Sequence, residues 1–316
     1  MKLWPAGRST LSTTSEAFLQ AVGTAAPNSD LSLIPSALES PAVEADPVAV
    51  RNPYSLSAEE IASISEQFHG RFGSVVFDCG PLTATAQQHP LVAMGEQLRR
   101  AMPCRWPIAN AAEAPDGTAK IFDVGRNGTT PNSNRLLAPH QDGLQLGGAI
   151  AVAGLWTDSA PQRAAATYVQ NMLPLIVDLW RTDLEAFDTL SRRDAITITR
   201  RRDKAQTVSP IVFVRDSRPR VLFRAPGEEY DVHPSSRHRN SPAARAFEFL
   251  VEYTRFGARG STFTYFDRPG RGIFMNNHIC VHGRTAYADG GNPNETRVLA
   301  GKWWALEEKY NQLPWR

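Results

Sequence analysis

The chain has 316 residues with 34 basic and 32 acidic side chains, a formal charge of +2, and 42% hydrophobic against 21% charged residues; this is an ordinary globular balance, long enough for one large core or two modest ones, and it gives no general argument for nucleic acid or an anionic membrane surface. The three cysteines, Cys79, Cys104 and Cys280, are odd in number and widely spaced, which argues against a disulfide framework or a cysteine-built zinc site and for a reducing cytoplasm. The longest apolar run, around Leu146 to Trp156, is far short of a membrane span, and the first residues lack the apolar core of a signal peptide.

Residues 1–54 are rich in Ala, Ser, Thr and Pro. They read as a loosely ordered extension, with a short helix from Thr13 to Val22, ahead of a single domain over 55–316. Ser57-Ala58-Glu59-Glu60 is a capping box, and Ile61, Ile64 and Phe68 follow at helical spacing. Val75-Val76-Phe77 reads as a buried strand. A second helix starts after Pro90, with Leu91, Met94, Leu98 and Met102 on one face. From Ile121 to Trp156 the pattern changes to short strands, with a turn signal at Arg126-Asn127-Gly128-Thr129.

This section contains Pro139-His140-Gln141-Asp142-Gly143. On an extended strand His140 and Asp142 point to the same face. An imidazole and a carboxylate so placed are two thirds of a two-histidine, one-carboxylate facial triad for non-haem Fe(II). With 7 His and 32 acids in 316 residues, chance supplies about 0.7 such pairs, so the pair alone is weak and the rest of the chain has to agree with it.

Leu173 to Leu190 reads as a helix. Ile196 to Thr199, Ile211 to Val214 and Val221 to Phe223 read as strands. The basic run Arg200-Arg201-Arg202-Asp203-Lys204 reads as a solvated strand end or loop, or else as an anion-binding rim. Asp231 to Ser241 reads as a polar loop, and a helix follows Pro242. Phe263 to Phe266, Gly272 to Met275 and His282 to Tyr287 read as strands. The turn signal Asp289-Gly290-Gly291-Asn292-Pro293 then leads into a return strand, Thr296 to Leu306. Many short strands, few helices and glycine-rich turns predict a mainly β fold with flanking helices, a closed or sandwiched antiparallel jelly roll.

The third metal ligand must be a distant histidine. His282 is the candidate, in Asn277-His278-Ile279-Cys280-Val281-His282-Gly283-Arg284. His278 stays open as an alternative, because on a strand it shares the parity of His282. Cys280 reads as a small buried residue. His69, His89, His233 and His238 read as surface or loop residues. Trp303 and Trp304 alternate faces, so one is core and the other walls a pocket. Three ligands on one face of Fe(II) leave three positions, two for an organic chelate and one for dioxygen. Arg297, across the predicted hairpin, offers a planar fork for an acidic co-substrate, and Thr167 a hydroxyl donor.

The pattern His140-x-Asp142, Thr167, Asn277-x4-His282-Gly283-Arg284 and Arg297 resembles the Fe(II)/2-oxoglutarate oxygenases of the taurine dioxygenase and clavaminate synthase type. The resemblance covers about Ser57 to Trp304. It implies a double-stranded β-helix, a jelly-roll and cupin-like variant. It also implies iron on His140, Asp142 and His282, and the distal carboxylate of 2-oxoglutarate on Arg297 and Thr167. The resemblance further implies dioxygen as the oxidant and no catalytic residue beyond the metal ligands. Hydroxylation of an unactivated C–H bond of a small, amino-acid-derived molecule in specialised metabolism follows. Desaturation, cyclisation or a non-catalytic binding protein are the alternatives. Asp142, where a halogenating relative would have Gly or Ala, favours hydroxylation or desaturation. Three departures stand out: Ala164-Ala165-Ala166 precedes Thr167 where the family usually has glycines, Asp142 replaces the Glu of the amino-acid hydroxylases, and Gly301 stands where a second arginine takes the substrate carboxylate. Arg284 is the candidate substitute for that arginine.

Overall fold

The computed structural model describes residues 11–25, 31–81, 88–109, 113–124, 130–144, 148–161, 164–236, 238, 240–289 and 296–307; the turn signals at 126–129 and 290–293 lie outside them. Helix α1 (Thr13–Ala25) comes first. Its Phe18, Leu19 and Val22 are buried, so this stretch is seated in the core. Apolar i, i+4 spacing outweighs the Ala, Ser and Thr content that suggested loose packing.

The two-residue strands β1 (Val43–Glu44) and β2 (Val48–Ala49) follow. Ser57 then caps helix α2 (Ala58–His69). The Ser57 hydroxyl accepts from the Glu60 N–H at 3.2 Å and the Glu60 carboxylate accepts from the Ser57 N–H at 2.7 Å, so two otherwise orphaned donors are satisfied reciprocally. Strand β3 (Ser74–Asp78) precedes helix α3 (Pro90–Gln97). Strands β4 (Trp106–Pro107), β5 (Ala119–Phe122), β6 (Leu137–His140), β7 (Ile150–Ser159) and β8 (Ala166–Asn171) lead to the next helical section.

That section is two helices where the sequence suggested one: α4 (Met172–Thr182) and α5 (Leu184–Thr189). Asp183 leaves helical geometry, and its carboxylate accepts from the Ala186 N–H at 3.0 Å as the cap of the second helix. Strands β9 (Ile196–Arg200), β10 (Gln206–Ser209), β11 (Val212–Arg215), β12 (Arg218–Val221) and β13 (Tyr230–Pro234) come next. Strand β13 replaces the start of the expected polar loop, because Val232 is buried and pairs with Ile198. Helix α6 (Pro242–Thr254) and strands β14 (Thr262–Tyr265), β15 (Arg271–Asn276), β16 (Cys280–Arg284) and β17 (Val298–Ala305) complete the fold.

Two sheets carry the architecture, one ordered β1-β14-β8-β16-β6 and the other β2-β3-β15-β7-β17-β4 with β5 beside β17. Val169 and Cys280 from the first sheet pack with Val76, Ala153, Ile273, Met275 and Leu299 from the second. The layers therefore close on each other as a jelly roll, the double-stranded β-helix. Helices α2 and α3 cover the outside of the larger sheet through Ile64, Phe68, Leu91 and Met94, which meet Phe77, Phe274 and Trp304. Helices α1, α4, α5 and α6 cover the other sheet, together with the strands from β9 to β13. Helix α3 approaches β17 closely at Gly95, where any Cβ would press into the Trp304 indole.

Candidate metal centre

Strand β16 lies between β6 and β8, and in its register with β6, His282 is directly opposite His140. Directly opposed residues in an antiparallel pair share a face, so the two imidazoles meet, with ring centroids 4.5 Å apart. Asp142 lies just past the end of β6 in a turn, rather than on the strand as its spacing suggested. Gly143, at φ +68°, makes that turn. The carboxylate nevertheless returns to the pair, with Oδ1 3.4 Å from Nε2 of His140 and Oδ2 3.8 Å from Nε2 of His282.

Other side chains hold this geometry. Nδ1 of His140 is 2.9 Å from the Ala138 carbonyl, which leaves Nε2 toward the cluster. Asn277 accepts from the Asp142 N–H at 2.9 Å and donates to the Asp142 and Ile150 carbonyls at 3.0 and 3.1 Å. Gln141 donates to the Asn277 carbonyl at 2.7 Å and accepts from the Phe223 N–H at 2.8 Å. The indole N–H of Trp303 donates to Oδ2 of Asp142 at 2.6 Å. Trp304 faces the opposite way and is core, so the two tryptophans divide as their alternation predicts.

Electrostatics follow from burial. Burial alone would raise the Asp142 carboxyl, but His282, His140 and the Trp303 N–H hold it well below its usual range. His282 is lowered to about 4, first by burial and then by His140 and Arg224, against the pull of Asp142. A neutral imidazole beside an ionised carboxylate is the protonation state that a metal ligand set needs. One ligand atom from each of the three residues lies within 4.8 Å of the others. Two nitrogens and one carboxylate oxygen on a single wall fit a divalent transition ion with open positions.

Arg297 and Thr167, the two residues expected to hold an acidic co-substrate, are both buried. Arg297 is 3% exposed, and its Nη1 has no hydrogen-bond partner among the described residues. The Arg297 and Arg284 guanidinium carbons lie 4.9 and 5.0 Å from the centroid of the same Tyr287 ring. Thr167, buried, is directly across from Arg284 on β8, and two residues further along the same strand Val169 pairs with His282. A buried guanidinium that still has a free Nη1 donor fits a carboxylate. Arg284 itself is committed elsewhere: it donates to the carbonyls of Pro131, Ser133 and Arg135 at 3.3, 2.6 and 2.7 Å. It clamps that loop, so these donors are not turned to a substrate.

Several other candidates fall outside the cluster. His278 sits in the turn between β15 and β16, so strand parity does not apply to it. Its ring lies among Arg220, Arg218 and Arg215. His89, expected at the surface, is buried as the cap of α3 and pairs with Asp158 at 2.9 Å. The basic run is a β9–β10 turn whose arginines pair with Asp203 and Asp231.

Sequence reading missed Arg224. It forms an isolated antiparallel bridge with His140 and so shares its face. It is 9% exposed, stacks 3.8 Å over the Tyr230 ring and is felt electrostatically by both Asp142 and His282. The available signal was a single cation ending the apolar run Val221-Leu222-Phe223. At Gly301, a Cβ would meet the Trp303 ring at 3.0 Å and Ile121 at 3.1 Å; tryptophan fills the space that an arginine there would need.

Solved structures share this architecture. Asparagine oxygenase in complex with Fe(II), 2S,3S-3-hydroxyasparagine and succinate aligns over 94% of this chain and 92% of its own at a TM-score of 0.55 and 14% identity. The non-heme iron oxygenase OrfP in complex with Fe and L-Arg aligns over 93% and 90% at a TM-score of 0.54 and 16% identity. No curated protein sequence matches the chain. The family model described as "Taurine catabolism dioxygenase TauD, TfdA family" matches residues 36–303. The chain belongs to the TauD/TfdA family and is an oxidoreductase of its type, a dioxygenase that works with Fe(II), 2-oxoglutarate and dioxygen.

Proposed function

We propose that this dioxygenase hydroxylates an unactivated C–H bond of a small, amino-acid-derived molecule, with His140, Asp142 and His282 as the iron ligands and Arg297 and Thr167 on the distal carboxylate of 2-oxoglutarate. The observation that carries the reading is the convergence of the two imidazoles and the carboxylate within 4.8 Å. Bound iron would supply the activation of dioxygen and of the 2-oxo acid. The chain's own residues do the rest. Ala138 and Trp303 orient His140 and Asp142. Arg224 presents a buried cation on the face of His140. It is the group that would take a substrate carboxylate in place of the arginine that Gly301 lacks. Retention of the carboxylate at Asp142 supports hydroxylation over halogenation.

Asparagine oxygenase and OrfP, the latter in complex with Fe, succinate and (3S)-hydroxy-L-Arg, lend the amino-acid class to the proposal. A place in specialised metabolism is part of the same reading. Among the described residues no helix is long and apolar enough to cross a membrane, and the cytoplasm is assigned on cysteine usage.

The test is a screen of amino acids and their derivatives for Fe(II)-dependent succinate release, with product mass recorded. A gain of one oxygen supports hydroxylation, whereas loss of two hydrogens makes the enzyme a desaturase or cyclase. Turnover that persists without iron, or in His140→Ala and His282→Ala, would sink the ligand assignment. Unchanged substrate KM in Arg224→Gln would remove Arg224 from the site.

A further inference from the structure

A second cavity, of about 820 Å³, lies apart from the metal centre. It opens between α1, residues 33–35, the end of α2, the turn joining β11 to β12 and the turn joining β15 to β16, and neither His140, Asp142 nor His282 lines it. Its volume is within the range of pockets that take small organic ligands, about 300–1,000 Å³.

The wall has two chemistries. One side carries Arg71, Arg218, Arg220 and His278 against the single acid Asp216. Arg220 is 4% exposed, and its Nε has no hydrogen-bond partner among the described residues. A buried guanidinium with an N–H left unpaired is costly. Burial and the neighbouring Arg218 lower the Arg220 pKa to about 10. His278 is kept neutral by burial and by Arg220, Arg218 and Arg215, and its ring hydrogen-bonds the Gly148 backbone, so it neither adds a second buried charge nor needs a partner. The other side is apolar: Ile34, Leu173 and Ile279, with Leu33 at the rim 59% exposed.

We propose that this cavity is a second ligand site, separate from the iron, which takes a small carboxylate with an apolar body, its head on Arg220 and its body against Leu33, Ile34, Leu173 and Ile279. Neither half of such a molecule suffices. A bare anion gains no burial there, and a neutral apolar molecule leaves Arg220 unpaired.

Octanoate is the probe, titrated calorimetrically into the full-length protein loaded anaerobically with Fe(II) and 2-oxoglutarate, so that the metal centre is already engaged. Octanoate should bind, and acetate and n-octanol should each bind at least about tenfold more weakly, as expected when a charge-assisted hydrogen bond or the apolar burial is lost. Arg220→Gln should weaken octanoate at least about tenfold while leaving Fe(II) and 2-oxoglutarate binding intact. Leu33→Glu, at an exposed position that folding does not depend on, should weaken it too, and decides the matter if Arg220→Gln does not fold. Absence of octanoate binding overturns the proposal. So does wild-type affinity in Arg220→Gln, or in Leu33→Glu where that variant decides. Loss of octanoate binding in His140→Ala would mean that the molecule binds at the metal centre instead.

Discussion

The indole N–H of Trp303 points at Oδ2 of Asp142 from 2.6 Å, so the one carboxylate of the cluster is aimed by a ring on the opposite sheet. Partners of this kind behind a metal ligand are commonly worth about 10–100-fold in metal affinity or activity. Trp303→Phe keeps most of the ring and removes the donor. Iron affinity or turnover should fall within that range with little change in melting temperature. Unaltered iron affinity and turnover would show that Asp142 needs no such anchor.

Arg297 is the second test. Its Nη1 is buried without a partner among the described residues, and a bidentate fork cannot be replaced by a neutral amide. Arg297→Gln should raise the KM for 2-oxoglutarate by about tenfold or more, while Fe(II) alone binds as in the wild type. A parallel loss of Fe(II) binding would mean that the substitution disturbs the sheet rather than the co-substrate.

The metal-free protein should lose stability in mild acid. His282 is lowered from 6.5 to about 4, chiefly by burial, and burial also drives His278 well below 6.5. Between about pH 4 and 6.5 the unfolded chain binds protons at these sites that the folded chain does not, so stability rises with pH through that window and levels off above it. The lowered Asp142 carboxyl acts with the same sign at more acid pH: its contribution is present above its ordinary 3.8 and is lost on further acidification. Urea midpoints measured with chelator should correspond to about 1–3 kcal/mol less stability at pH 5 than at pH 7, and His282→Asn should shrink the difference. A flat profile contradicts neutral burial of these rings.

Gly95 tests the packing of α3 on the larger sheet. A methyl group there presses into the Trp304 indole, whereas an open helix position would gain from alanine. Gly95→Ala should cost about 1–3 kcal/mol by overpacking, visible as a lower thermal midpoint. A stabilised variant would mean that the helix can move away from the strand.

The His140, Asp142 and His282 cluster was legible because few residue types can build such a group, whereas strand alternation alone left His278 beside His282 as an alternative, and the Asn277 and His-Gly-Arg context separated them. Asp142 joins the two imidazoles for a different physical reason. The residue reaches the cluster from a turn made by Gly143, not by strand parity. Arg224 could not be found from spacing, because its bridge to His140 joins two segments with no local signal between them. Tertiary partners likewise decided His89, which Asp158 draws inward, and Arg284, whose donors go to the 131–135 loop. At Asp183 a local rule was available, since an aspartate that can cap the next helix also ends the previous one.

Strand β16 fits between β6 and β8, and this has a consequence for assembly. His140 and His282 are far apart along the chain, and closing so long a loop costs entropy that only the finished strand pairing repays. An ion held by both residues would thus report on whether this long-range pairing has formed. By mass action it will stabilise only the completed barrel, and a chain cut short before β16 will lose it outright rather than by degrees.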